Sequence, residues 1–361
     1  MKTRAAERAK QPFGFSIGEV VEVKSEQEIL ATLDERGELD GLPFMPEMLK
    51  FCGQRYTVYR RAHRLCDPAT QTGFHRMENA VHLESLRCDG EGHGGCQAKC
   101  LLYWKEAWLR PVDDHASEVR GSGTPHERVQ GDHAFSIGMR QQLLDATRTD
   151  GGIASAGEES YACQATELMR AAPTRLPWWD IRHYVRDVRS GDAKALPMLR
   201  GIFIMLFNKF QRANQKFFPW ILFIRGGATY PFIAGTQSKT PAQRLGLKPG
   251  DRVRIKSKEE IVATLDSNAR NRGLSFDGEM LAYCGTETRV LSQVNRIISE
   301  KTGRMLRLPN DCVILDGVIC KGTYNHFCPR NIYPYWREIW LERLEPPSPA
   351  ASAPFVSSAA M

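Results

Sequence analysis

The chain has 361 residues, 42% of them hydrophobic and 25% charged, with a formal charge of +7. Such a balance is ordinary for a soluble globular protein and allows two or three domains with cores of their own. It excludes a helical membrane span, since no run reaches the roughly 18 apolar residues required, and the basic start Met1–Lys10 lacks the apolar stretch of a secretion signal. The ten cysteines are therefore expected in a reducing cytoplasm, where clustered thiols signal a metal more often than a disulfide.

In chain order, residues 18–109 read as a Cys-rich β module. A β-rich stretch, Val20–Val23, opens it. Ser25 followed by Glu28 is the capping box of a short helix. Strands such as Tyr56–Val58 follow, and a last strand presents Trp104 and Trp108 on one face at period two. Residues 110–157, rich in Gly, Asp, Ser and Arg, read as a linker. Residues 158–249 form a helical, basic-aromatic region with helices expected over Tyr161–Ala171, Trp178–Arg189 and Ala195–Gln215.

A second β module spans 250–345. It has a strand at Val253–Ile255, a helix capped by Ser257 and Glu260, a strand at Arg289–Ile298, a turn at Pro309-Asn310-Asp311, and Trp336 with Trp340 on the last strand. The tail 346–361 is low-complexity and expected to be disordered.

The two modules are copies. Laying Gly18 on Gly250 aligns 92 pairs without a gap, and about a third are identical. GEVVEVKSEQEILATLD faces GDRVRIKSKEEIVATLD, and YWKEAWL faces YWREIWL. Cys52 falls on Cys284, Cys88 on Cys320 and Cys96 on Cys328. Such an internal repeat marks a duplicated supersecondary unit. The predicted fold class is α+β: two duplicated small β-barrel (SH3-like) modules flanking a helical middle region.

The cysteines point to metal. Cys88, Cys96 and Cys100 share the glycine-rich stretch CDGEGHGGCQAKC, which can wrap tightly around an ion, and Cys52 would complete a four-thiolate site. In copy two, Cys284, Cys320 and Cys328 lack a counterpart of Cys100, whose place Ile332 takes, so His326 or Cys312 must serve as the fourth ligand, or the position stays open. Zinc is the preferred cofactor, as the commoner staple of small modules. The irregular spacing and the Cys328-Pro329 pair keep an iron–sulfur cluster as the alternative. Cys163 stands apart and reads as a core cysteine.

Residues 193–249 contain nine Lys+Arg and no acid, interleaved with aromatic residues. The plainest reading of the stripe Leu199, Ile202, Phe203, Leu206, Phe207 and Phe210 is a core helix with solvated flanking charges. An anionic membrane surface is the next reading, and nucleic acid ranks below it because Ile202–Phe207 is apolar all round. Phosphate-binding, dinucleotide-binding, zincin and nucleophile-elbow motifs are absent from the sequence.

YACQATEL, WWDIRHYVRDVRSG, KSKEEIVATLD, LPNDCVILDGVIC and FCPRNIYPYWREIWLER together resemble an uncharacterised bacterial family with tandem Cys-containing modules, seen beside biosynthetic and glycosyltransferase genes. The resemblance runs from about residue 18 to 345 and implies an accessory role in a biosynthetic pathway. No catalytic residues come with it. The expected function is a cytoplasmic metal-binding accessory or scaffold protein that docks a protein partner or, peripherally, the inner membrane. An iron–sulfur redox enzyme or electron-transfer component, with an open cluster position in copy two, is the alternative.

Overall fold

The computed structural model describes residues 14–66, 73–112, 130–148, 159–177, 179–217, 224–324 and 328–344. His326, Trp178, the tail 346–361 and much of the expected linker lie outside the described residues. The fold is mixed α+β, with sheets dominant. The chain divides into two compact units. One comprises Met1–Phe232, Asn295–Leu308 and Ile319–Tyr333; the other comprises Ile233–Val294, Pro309–Val318 and Pro334–Met361.

In the first unit the chain runs β1 (Val20–Val23), α1 (Glu26–Leu30), β2 (Glu38–Leu39), β3 (Leu42–Pro43), β4 (Arg55–Arg61), β5 (Leu65–Cys66), β6 (Phe74–Arg76), β7 (Ala80–Arg87), β8 (Leu101–Lys105) and β9 (Leu109–Pro111). It continues through α2 (Gln130–Thr147), α3 (Leu168–Ala171), β10 (Thr174–Leu176), α4 (Ile181–Arg189) and α5 (Ala195–Phe217). The main sheet has the order β8-β7-β4-β1-β9, and a small sheet has the order β10-β6-β5. Val21 and Val23 point into the core while Val20 is exposed, the period-two alternation of a half-buried strand.

Copy two runs β11 (Arg252–Ile255), α6 (Lys258–Val262), β12 (Arg270–Asn271), β13 (Leu274–Ser275), β14 (Glu287–Ile298), β15 (Met305–Leu315), β16 (Trp336–Arg337) and β17 (Leu341–Arg343). Its sheet has the order β16-β15-β14-β11-β17, the same permutation as in copy one. The distal stretch of β14 and β15, Asn295–Leu308, is counted with the first unit.

Local chemistry explains the shared frame. Both short helices carry a complete capping box, at Ser25 with Glu28 and at Ser257 with Glu260. All four module tryptophans are fully buried. Trp108 and Trp340 sit on 3-10 turns, Glu106–Trp108 and Glu338–Trp340, rather than continuing the strands that carry Trp104 and Trp336. Each turn bends the chain so that both indoles still enter one core. Trp108 Nε1 donates to Thr32 Oγ1 at 3.1 Å, and Trp340 Nε1 to Thr264 Oγ1 at 3.0 Å. Phe44 and Phe276 meet these indoles edge-on, at 5.2 and 5.4 Å.

Four expectations are corrected. The linker contains the helix α2, whose Leu143 packs into the core of the first unit; Gly131 and Gly138 hid its pattern. The helix expected from Tyr161 is reduced to α3, because Tyr161 bridges to Arg148 and Thr166 Oγ1 accepts the Cys163 N–H at 2.9 Å, which turns the chain. The turn expected at Pro309 falls instead at Ser299–Gly303, where Gly303 has a φ of 71° and accepts the reversal, while β15 continues through Pro309. Finally, α5 buries Met198, Gly201 and Gln211 and half-buries Ile202 and Phe207, but leaves Leu199, Phe203, Leu206 and Phe210 exposed, so the stripe is not a core face. No helix among the described residues is long and apolar enough to cross a membrane.

Candidate metal centre

Three donor groups of different kinds meet in the first unit: the Glu47 carboxylate, the Cys88 thiol and the His93 imidazole. Glu47 comes from the 3-10 turn Pro46–Phe51, Cys88 directly follows β7, and His93 lies in the glycine-rich stretch beyond it. All three are buried. Cys88 Sγ donates to Glu47 Oε1 at 3.2 Å and lies 3.4 Å from His93 Nε2, and His93 Nδ1 is 3.6 Å from Glu47 Oε1. Metal–sulfur bonds of about 2.3 Å and metal–nitrogen or –oxygen bonds of about 2.0–2.1 Å give a tetrahedron with edges of roughly 3.4–3.6 Å. Taking one ligand atom from each residue, the three lie within 4.8 Å of one another, near enough to converge on one ion.

The backbone around this triangle depends on glycine. Gly90 has a φ of 80°, and a Cβ there would stand 2.1 Å from the Cys96 carbonyl oxygen. Gly94, with a φ of 66°, packs against the Tyr161 ring with only 2.6 Å for a Cβ. The Gly95 N–H donates to Gly90 O at 2.9 Å, and the Cys88 N–H closes the neck on Cys100 O at 2.8 Å. Thr147, the last residue of α2, donates to Gly92 O at 2.7 Å. The helix hidden in the expected linker thus braces the loop.

Burial, followed by the Glu47 charge, holds the Cys88 thiol well above its ordinary range. Burial also lowers His93, against the pull of Glu47 and Asp89. Glu47 Oε2 and His93 Nδ1 are buried without a hydrogen-bond partner. Orphaned polar atoms of this kind cost about 1–3 kcal/mol each, and a dication that deprotonates the thiol would reverse the balance.

Cys96, Cys100 and Cys163 lie around the same core. A thiolate at Cys100 or Cys163 would oppose ionisation of Cys88, and one at Cys163 or Cys96 would oppose that of Cys100. Burial pushes Cys100 and Cys163 up to about 12. Cys96 and Cys163 both begin a Cys-Gln-Ala triplet. The Ile298 N–H donates to Cys96 Sγ at 3.4 Å, and backbone donors at Ala165 and Thr166 serve Cys163. Cys163 is therefore buried, as read from sequence, and also belongs to the thiol neighbourhood, which its isolation in sequence conceals.

The structure puts Glu47 and His93, rather than Cys52, against Cys88. The Cys52 thiol is pushed up to about 12 by burial and then by Glu26. Cys284 is likewise pushed up to about 11 by burial and then by Glu259. Cys284 belongs to the second unit, whereas Cys320 and Cys328 are counted with the first. Cys328 is disulfide-bonded to Cys66, 262 residues away. A disulfide sulfur is not a thiolate, so the expected ligation by Cys328 and the expectation of free thiols throughout are corrected at this pair. The Cys320 N–H donates to Ile332 O at 2.8 Å, the same bond that joins Cys88 to Cys100.

A second buried polar cluster escaped the sequence reading. Asp187 on α4 accepts from His63 Nε2 at 2.7 Å and pairs with Arg64. It ties α4 to the β4–β5 connection. Comparison with protein-family models, with curated proteins and with solved structures returns no match in any of the three.

Proposed function

We propose that the chain is a metal-binding accessory or scaffold protein whose copy-one module is stapled by a zinc ion. Glu47, Cys88 and His93 would supply three ligands, with Cys100, whose carbonyl accepts the Cys88 N–H, as the candidate fourth. The observation that carries this reading is the buried Glu47–Cys88–His93 triangle with its orphaned carboxylate oxygen and ring nitrogen. The ion would satisfy both buried polar ends and hold the glycine-rich loop closed. Both sheets would be SH3-like barrels. Their shared order, with a 3-10 turn between the last two strands, supports that assignment.

The test is metal analysis of the full chain beside the Cys88→Ser and His93→Ala variants. Stoichiometric zinc in the parent, lost in both variants, is the expected result. A parent without metal that melts at the same temperature before and after chelation would sink the proposal.

One observation favours a second reading, an iron–sulfur centre on Cys88, Cys96, Cys100 and Cys163. Sulfur-directed backbone donors at Cys96 and Cys163 are the kind of contact that stabilises cluster thiolates. Anaerobic purification separates the two readings. A brown protein that loses its colour with Cys163→Ser, and keeps it with His93→Ala, belongs to the cluster. A colourless zinc protein indifferent to Cys163→Ser belongs to the staple.

A further inference from the structure

Helix α5 carries its apolar residues on the wrong side for a core. Leu196, Leu199, Phe203, Leu206, Phe210 and Phe217 follow steps of three, four and seven, which place them in one narrow stripe along the 23-residue helix. The stripe faces outward: Leu196 is 78% exposed, Phe203 70% and Phe210 58%. The opposite side is already occupied. Gln211 Nε2 donates to the carbonyls of Ile224 and Ala228 at 2.7 and 3.2 Å, and Asn208 Nδ2 to Tyr230 O at 2.9 Å. The helix therefore cannot simply roll its stripe inward without breaking those bonds. A shorter apolar stripe on α4, at Ile181, Val185 and Val188, is also exposed.

Charge selects the occupant. Residues 193–249 hold nine cations and no acid. On the helical wheel Arg200 falls on one flank of the stripe and Lys209 and Lys216 on the other. A second copy docking along this seam would set cations against cations. A nucleic acid would meet the cations but leave the leucines and phenylalanines in water or against phosphate. An anionic lipid surface satisfies both, with apolar side chains in the acyl boundary and Lys and Arg stems reaching the headgroups.

We propose that α5 is a membrane-surface anchor, lying in the plane of an anionic lipid interface with its Leu and Phe stripe inserted. It binds without spanning, in keeping with its cationic flanks. This inference is independent of the metal.

Flotation of the full chain with vesicles tests it. With phosphatidylglycerol–phosphatidylcholine vesicles at low salt the chain floats, and with phosphatidylcholine alone it stays behind. The Phe203→Glu, Phe210→Glu double variant binds on the order of tenfold more weakly or worse, because two rings leave the acyl boundary, while its melting temperature is unchanged because both sites are exposed. Should that variant melt lower, Lys209→Glu with Lys216→Glu carries the comparison, and it too must weaken flotation. Absence of flotation with anionic vesicles, equal binding to neutral ones, or undiminished binding of the variants overturns the proposal. So does a concentration-dependent dimer, or capture of a single-stranded oligonucleotide, that the double phenylalanine variant abolishes in place of lipid binding.

Discussion

The two copies share a frame and differ at its centre. The Thr–Trp hydrogen bond, the capping box and the Phe–Trp contact recur with nearly the same geometry. Even an ion pair recurs with its sign reversed: Glu22 faces Arg110 across β1 and β9, and Arg254 faces Glu342 across β11 and β17. What differs is the cradle. Copy one has Gly94, Gly95 and Cys100 where copy two has His326, Phe327 and Ile332, and it has His82 in β7 where copy two has Ile314 in β15. A five-stranded sheet of this order needs its apolar and capping positions. The Glu47–Cys88–His93 cluster lies beside glycines with positive φ, and of these Gly94 and Gly95 are replaced in copy two.

Substitutions at matched positions can break or sharpen that contrast. The largest expected difference is between Cys88→Ser and Cys320→Ser. Loss of a structural ion belongs to the class of changes that exceed about 4 kcal/mol, so denaturant melts with metal analysis should show a severe loss for the first. The second should retain the parent's metal content. If Cys320→Ser also releases metal, the cradle is not confined to copy one.

Trp108→Ala and Trp340→Ala should instead behave alike. Each removes a fully buried indole and is expected to cost about 3–5 kcal/mol. Chemical denaturation of each variant measures it, and a markedly smaller loss at one site would show that the frames are unequal.

His82 introduces an acid sensitivity that its counterpart Ile314 cannot have. Burial lowers its pKa to about 3, against the opposing bond of Nδ1 to Leu102 O and with Arg60 and Arg87 adding to the fall. Because the folded value is below the ordinary 6.5, the unfolded chain binds the proton first as pH drops. The stability is full above about 6.5 and is lost as pH falls toward 3, at about 1.4 kcal/mol per pH unit. The His82→Ile variant should flatten that part of the stability–pH curve, measured by urea melts between pH 7 and 4. An unchanged slope would remove His82 as its source.

Ser25→Ala and Ser257→Ala should each cost about 1 kcal/mol through loss of the cap. The smallest effect belongs to the reversed ion pair. Glu22→Gln and Arg110→Gln should couple by under about 1 kcal/mol, because both partners are partly exposed. A double-mutant cycle measures the coupling.

The candidate centre was half legible. Cys88 stood out through its register with Cys320 and its glycine-rich neighbours, and Cys100 through its place in the same stretch. Glu47 did not, since a carboxylate in PEMLKF looks like any solvent-facing residue until the 3-10 turn buries it. Cys163 looked solitary because its thiol neighbours are more than 60 residues away in the chain. The Cys66–Cys328 bond had no local sign at all, because its two halves are 262 residues apart.

By itself the sequence determined the duplication, the capped helices and the strands with alternating valines, because these rest on spacing and on contacts within a few residues. Tertiary structure decided which donors meet at Cys88, which cysteines pair, and which way the stripe of α5 faces. Periodicity states that a helix has an apolar side, but the direction of that side is set by what occupies the other one. Here Asn208 and Gln211 are tied to the 224–230 carbonyls, which leaves the leucines and phenylalanines outside.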